Sequence, residues 1–402
     1  MLRSVVSFLR TTRRELELPA AARVERRRDK IKGLNSDPGI DPAVDAALSW
    51  LGRAQDMSAS SDGGVARHYS LVSGWSASYP ETTGYIIPTF LNEAKRRGDD
   101  SLRERARRML DWLVSIQLPE GGFQGGMIGE TPVRAVTFNT GQILLGLAAG
   151  VAELGDRYRP SMRAAADSLV DTQDADGCWR SQSSPFARAG EKVYETHVAW
   201  ALVEAARLEP EKPYGGAAVA NVHWALAWQH KNGWFDRCCL TDQTRPLSHT
   251  LGYVLRGILE VHAFSGEAEL LQAAQRTADG LMSTLTDSGF IPGRLYPDWR
   301  PAVNWACLTG SVQIAHCWMI LYEITADTRY RDAAYKANRY VRQTVSFAGN
   351  PDTHGAVKGS FPVDGGYGQY QYLNWAAKFL IDSNLLEQKL RLAERPDEFP
   401  PA

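Results

Sequence analysis

The sequence predicts an all-α fold, an (α/α)6 toroid of about twelve helices carrying a basic helical arm at its N-terminus. Three observations predict it. A signature recurs with a 56-residue period, each period holds two helical patterns of different amphipathicity, and no strand-rich block interrupts them. The signature is Gln-x-x-x-Gly-x-aromatic. It runs from Gln117 to Phe123, from Gln173 to Trp179 and from Gln229 to Phe235, each copy 56 residues after the last. A fixed period marks stacked copies of one unit that cannot bury its apolar face alone. A further 56 residues lead to Leu285, where Gly289-Phe290 reads as a worn copy. Gln55 with Gly63-Gly64 is a weak copy upstream. Gly359-Ser360-Phe361 reads as the sixth, displaced by an insertion that holds Asn350-Pro351 and His354-Gly355.

Residues 1–38 form the arm, 39–390 the toroid and 391–402 a tail. Asp41-Pro42 suits the N-cap and first turn of the earliest toroid helix. Before each turn lies an amphipathic stretch. Leu102, Ala106, Met109, Leu110, Leu113 and Ile116 fall at helical spacing, with Arg103, Glu104, Arg107 and Arg108 between them. After each turn the pattern changes. Gly141 to Leu154 and His197 to Leu208 are apolar nearly all round, and such a helix must be buried on every face. Half-exposed helices alternating with buried ones predict an outer ring around an inner one. Closing the ring removes the need for capping repeats.

Composition narrows the class. With 44% hydrophobic and 23% charged residues the chain reads as globular, and its apolar runs stay well short of the ~20 residues of a membrane span. A formal net charge of −1 gives no reason to expect a nucleic-acid binder. The charge is uneven, because residues 1–33 hold ten Lys/Arg against four Asp/Glu. In that arm Leu2, Val5, Val6, Phe8 and Leu9 alternate with Arg3 and Arg10, a pattern able to lie on an anionic membrane surface. An exposed helix or disordered tail is the plainer reading. Five scattered cysteines, an odd number, do not form a disulfide framework, and no secretory leader is recognisable. The expected setting is the cytoplasm, with peripheral contact at the inner membrane face only if the membrane reading of the arm holds.

The repeats resemble those of the terpenoid cyclase and protein prenyltransferase superfamily, and the toroid is similar to six-hairpin glycosidases, polysaccharide lyases and uronyl epimerases. The resemblance covers roughly residues 40–390. It implies a fold more sharply than a chemistry, since one fold hosts many functions. The chain lacks the Asp-x-Asp-Asp of triterpene-type cyclases, Asp174-Ala175-Asp176-Gly177 being a turn. Asp236-Arg237-Cys238 imitates part of a prenyltransferase zinc site, with His249 or His316 to complete it, but neither histidine has that family's spacing.

The starts of the inner helices come into register at Thr83, Thr140, Thr196, Thr250 and Thr309, with Asn374-Trp375 in sixth place. Just before these threonines stand Thr82, Asn139, Glu195, His249 and Leu308, and Glu81 lies one step earlier. A carboxylate, an imidazole and an amide should therefore circle one rim, where helix N-termini favour an anionic or hydroxyl-rich ligand. Helix capping explains any one of them equally well.

Carboxylates, amides, Arg and flat aromatic rings suit saccharide recognition, and a carbohydrate-active enzyme is the preferred reading. The expected catalytic residues are Glu81, Glu195, His249 and Tyr253. The expected binding residues are Trp75, Tyr85, Asn139, Asp298, Trp299, Arg300, Asn304, Tyr367 and Trp375. Inverting hydrolysis needs two carboxyl groups about 6.5–9.5 Å apart, which Glu81 and Glu195 could supply, with Asp236, Asp298 and Asp364 as alternatives. A uronate lyase or epimerase needs a group that neutralises the carboxylate (Asn139, Arg300 or His249) and a base (Tyr85, Tyr253 or His249). Hydrolysis stands slightly ahead. No cofactor or metal is called for, and the partner is a saccharide. An isoprenoid enzyme and a non-catalytic glycan-binding toroid are the alternatives.

Overall fold

The computed structural model of the chain describes residues 17–184, 187 and 190–394. Among them are thirteen α-helices. The first, α1 (Ala20–Ile31), belongs to the arm. Six outer helices follow in alternation with six inner ones. The outer helices are α2 (Ile40–Asp56), α4 (Asp100–Ser115), α6 (Arg159–Asp171), α8 (Tyr214–Leu226), α10 (Ala268–Met282) and α12 (Thr328–Arg342). The inner helices are α3 (Pro80–Arg97), α5 (Thr137–Leu154), α7 (Thr196–Leu208), α9 (Ser248–Ser265), α11 (Leu308–Thr325) and α13 (Asn374–Glu394). Each inner helix packs on the next, and α13 packs back on α2 and α3, so the ring closes. The predicted amphipathicity holds. On α4 the buried residues are Leu102, Ala106, Met109, Leu110, Trp112 and Leu113, whereas α5 is buried on nearly every face. Gly39, not Asp41, is the N-cap of α2; Asp41 sits in the first turn, where its charge still complements the helix dipole.

The repeat signature is the joint between neighbouring hairpins. Gln117 Nε2 donates to the carbonyls of Gly121, in its own turn, and Ser161, on the next outer helix, at 2.7 and 3.0 Å. Gln173 does the same to Gly177 and Ala217. Gln55 donates to Gly63 and Arg105, so the weak upstream copy is a true one. The glycine has φ near +90° and is pressed against backbone. A Cβ on Gly121, Gly177, Gly233 or Gly289 would stand 2.1–2.4 Å from the carbonyl oxygen of Ala164, Ala220, Arg276 or Lys336.

This geometry corrects two sequence assignments. The sixth copy is Gly355, whose φ is +76° and whose Cβ would meet Ala46 O at 2.2 Å; Gly359 has no such conformation. The core slot two residues after each glycine holds Val65, Phe123, Trp179, Phe235, Ile291 and Val357, all buried. Ile291 therefore takes the place expected for Phe290.

Short strands tie the loops together at the end of the ring where the inner helices begin. Strand β1 (His68–Ser70) pairs antiparallel with β2 (Gly74–Trp75) and with β5 (Gln371–Leu373), joining the first loop to the last. Strand β3 (Ala306–Cys307) pairs with β4 (Ser360–Phe361).

Helix α1 is built into this end rather than standing free as an arm. Its two acids, Glu25 and Asp29, are buried. Lys358, itself 1% exposed, places Nζ 2.6 Å from Asp29 Oδ1 and 2.8 Å from Glu25 Oε1. The Val363 N–H donates to Asp29 and the Tyr372 hydroxyl to Glu25. On the same side Arg26 and Lys30 both reach Asp364. The apolar stripe from Leu2 to Leu9 and the tail beyond 394 lie outside the described residues. Among the described residues no helix is long and apolar enough to cross a membrane.

Candidate active site

The starts of the inner helices surround a cavity of about 590 Å³. Of the expected site residues, Glu81, Tyr85, Asn139, His249, Tyr253, Tyr367 and Trp375 line it together. They come from α3, α5, α9, α13 and the loop before α13, so the register of helix starts is what assembles them. The framework beneath is the repeated threonine. Thr83 Oγ1 accepts from the Val65 N–H and Thr140 Oγ1 from the Phe123 N–H, locking each helix start to the turn before it.

Glu81 sits in the first turn of α3, after Pro80. The Tyr79 hydroxyl donates to its Oε2 at 3.1 Å. Burial deep in the ring raises its pKa to about 7, against the opposing pulls of the Tyr79 hydrogen bond and the Arg67 charge. Desolvation thus outweighs both neighbours, and the carboxyl changes charge near neutrality. His249 Nδ1 donates to Gln313 Oε1 at 2.7 Å, which leaves Nε2 as an acceptor. Burial lowers the His249 pKa to about 4, so the ring is neutral. Its ring stacks at 4.4 Å on Tyr253 and at 5.5 Å on Tyr367. Burial pushes Tyr85, Tyr253 and Tyr367 well above the usual phenol range, so all three stay protonated donors. Trp375 Nε1 donates to the Tyr367 hydroxyl. Two lining residues, Asn139 through Nδ2 and Tyr85 through its hydroxyl, have buried polar atoms that make no hydrogen bond of full geometry, although the Tyr79 and Tyr253 hydroxyls lie near them. Such groups carry a cost that a ligand hydroxyl or carboxylate can relieve.

Arg67 is the residue that reading the sequence missed. Its backbone is stitched on both sides, N–H to Ala77 O and C=O from the Asn374 N–H. The guanidinium enters the cavity between the rings of Tyr79 and Trp375, at 5.4 and 5.3 Å. Among the described residues no carboxylate forms an ion pair with it. The signal was available, since Arg67 is the one Lys or Arg between Gly63 and Glu81. Arg294, also lining, is tied to Arg245 O.

Several expected residues lie elsewhere. Glu195 ends a 3-10 turn (Val193–Glu195) before α7, and the cavity wall there is Tyr194. The Glu195 carboxyl is buried beside Lys192, its Oε2 without a hydrogen bond and its pKa raised by burial. Trp75 packs on Trp50 and Tyr69 and donates to Asp352. Trp299, at φ +65°, packs on Trp234 and donates to Asn232 O. Asp298 and Arg300 pair with each other at the exposed surface, and Asn304 is exposed outside the cavity. These four belong to a long loop whose equivalence to the rim was judged by proximity in sequence alone. Asp364 is engaged by α1, and Asp236 by His230 at 2.8 Å. Among the described residues no group of three His, Cys, Asp or Glu is arranged to hold a metal.

A second cavity, about 720 Å³, lies at the opposite end of the ring, and Tyr85 lines both. Its acids are spoken for, Glu93 by Arg96 and Arg97, Glu204 by Arg207, Glu260 by Arg256 and Asp382 by Lys378.

No protein-family model and no curated protein matches the sequence. Solved structures do share its fold. An unsaturated glucuronyl hydrolase specific for heparin is similar over 88% of this chain and 97% of its own, with a TM-score of 0.70 and 15% identity. D-mannose isomerase covers 87% of this chain and 97% of its own, at TM-score 0.69 and 12% identity. Cellobiose 2-epimerase from Bacillus thermoamylovorans B4167 covers 87% and 98%, at TM-score 0.66 and 10% identity. The chain thus shares the α/α toroid fold of these proteins, and at these identities the likeness is one of architecture.

Proposed function

We propose that the protein is a carbohydrate-active enzyme that moves a proton on a saccharide bearing a uronic acid, with Glu81 as the group that carries the proton. One observation carries this reading. A carboxyl with a pKa of about 7 shares a cavity with a guanidinium that has no carboxylate of its own. An acid–base group is most effective when its pKa lies near the working pH. The fold's solved neighbours include proteins named for glucuronyl, mannose and cellobiose chemistry, which supports a saccharide as ligand.

In this reading, Arg67 and the Asn139 amide bind the uronate carboxylate and withdraw charge from the adjacent C5. Ionised Glu81 takes the C5 proton. In a lyase the electron pair forms the C4–C5 double bond as the C4–O bond breaks, and the leaving oxygen takes the Tyr253 hydroxyl proton. In an epimerase a tyrosine proton returns to C5 from the opposite face. Proton abstraction is preferred here to two-carboxylate hydrolysis because Glu195 does not line the cavity. Hydrolysis is the second reading, favoured by Glu130, which does line it. Glu81 would then act in its protonated form with Glu130 as the second carboxyl.

The test is incubation with uronate-containing oligosaccharides in D2O. Ultraviolet absorbance of an unsaturated uronate marks elimination, and deuterium at C5 without cleavage marks epimerisation. New reducing ends without either mark hydrolysis. Arg67→Met should raise KM for the uronate substrate at least ~10-fold while sparing the fold, since a charged hydrogen-bonding partner contributes roughly 1.5–3 kcal/mol. An unchanged KM for the uronate substrate in a folded Arg67→Met protein would remove the uronate from the account.

A further inference from the structure

Helix α1 divides its charge by face. Glu25 and Asp29, its only acids, are buried with Ala22 against the loop that follows α12. The opposite face carries Ala20, Val24, Arg27 and Ile31, which share one side of the helix by their spacing. Val24 is 67% exposed and Ile31 73% exposed, against the few per cent of the buried face. Arg23, Arg28 and Lys30 flank the stripe, Arg28 paired with Glu25 and Lys30 with Asp364, while Arg27 lies on the stripe itself. Two apolar side chains are therefore exposed beside Arg27, on a helix with five Lys/Arg against two acids. The buried anchors also fix where this face lies. Lys358, Val363 and Tyr372, which grip α1, bracket Gly366, Tyr367 and Gly368 in the cavity wall.

We propose that the outer face of α1 docks on an anionic lipid surface and sets the mouth of the cavity beside it. The chemistry of the face selects this occupant. Cations attract acidic headgroups while Val24 and Ile31 enter the interface, the arrangement of helices that lie on membranes. A second copy of the chain is disfavoured, because two faces of the same positive charge would be brought together. The docking itself does not depend on the saccharide chemistry. If that reading also holds, the natural substrate is a saccharide presented at the membrane on a lipid carrier.

The experiment is co-sedimentation of the full chain with phosphatidylcholine vesicles, with and without phosphatidylglycerol. Wild type should bind only the anionic vesicles and be released by added salt. The double variant Arg27→Glu/Ile31→Asp should bind them at least ~10-fold more weakly. An unchanged thermal melt shows that the variant is folded, and Val24→Asp/Arg27→Glu serves as a second variant if the first is not. Wild type that ignores both vesicles, or binds both equally, overturns the proposal. So does a variant that binds as wild type does, or a wild-type dimer that the substitutions dissociate. Vesicle binding is read without any turnover, so its failure is separable from failure of the enzymatic reading.

Discussion

Lys358 Nζ stands 2.6 Å from Asp29 Oδ1 across 329 residues of chain, both side chains buried. The pair couples the N-terminal helix to the wall of the cavity. Removing one partner from a buried ion cluster leaves an uncompensated charge, a loss of about 3–5 kcal/mol. Lys358→Met should therefore lower stability in urea by about 3 kcal/mol. Amide exchange should accelerate in residues 358–373, around Tyr367, before it does in α5. Replacing Asp29 by Asn in the same chain should recover part of the loss, because one of the two stranded carboxylates is gone. Additive losses in the double variant would show that the two side chains do not act as a pair.

Ring closure makes a separate prediction. Gly355 lies against Ala46 O as Gly121 lies against Ala164 O, so the last turn meets the first outer helix in the manner of the internal copies. Gly355→Ala should destabilise by at least ~2 kcal/mol, from the left-handed backbone and the displaced neighbour together. Gly359→Ala bears no positive φ, so it lacks the backbone part of that penalty. Denaturant unfolding of Gly355→Ala within experimental error of wild type would remove Gly355 from the repeat.

Glu81 links the site to stability. Its pKa is about 7 in the native chain against 4.5 for an ordinary glutamate. Below about pH 4.5 both native and unfolded chains hold the proton. Between about 4.5 and 7 the unfolded chain releases it first, so this residue's contribution falls as pH rises, by about 3 kcal/mol in all. Above the folded pKa there is no further loss. Glu81→Gln cannot titrate, so it should match wild type near pH 4 and exceed it near pH 8. Thermal melts at the two pH values read the difference, and a constant offset would show that the carboxyl titrates normally.

Much of the architecture was legible because it is periodic. The Gln-x-x-x-Gly spacing reports a backbone contact that every hairpin must make, and Gln55, Gln117 and Gln173 keep it. Copies blurred where the contact survives without its side chains. Gly289 and Gly355 retain the φ and the close approach, while the glutamine is absent and the core slot is aliphatic. The lining of the cavity was legible where it follows helix register, as at Glu81, Asn139 and His249. It was not legible where local backbone departs from register. A single 3-10 turn substitutes Tyr194 for Glu195 at the wall. Arg67 comes from strand pairing between the first and last loops, a contact between residues about 300 apart that no local pattern encodes. The attachment of α1 was not legible either, because its excess of basic residues hides that its two acids, Glu25 and Asp29, bind it to the ring.

Glu81 and Glu195 were equivalent candidates by sequence and are separated by geometry, one lining the cavity and the other walled off beside Lys192. Turnover of a uronate saccharide by Glu81→Gln and by Glu195→Gln is the measurement that most directly tests the proposed site. The account predicts a loss of at least ~10²-fold for Glu81→Gln and near-wild-type turnover for Glu195→Gln, with wild-type kcat/KM rising through about pH 7. A Glu81→Gln protein that is folded and turns over as wild type does would contradict it.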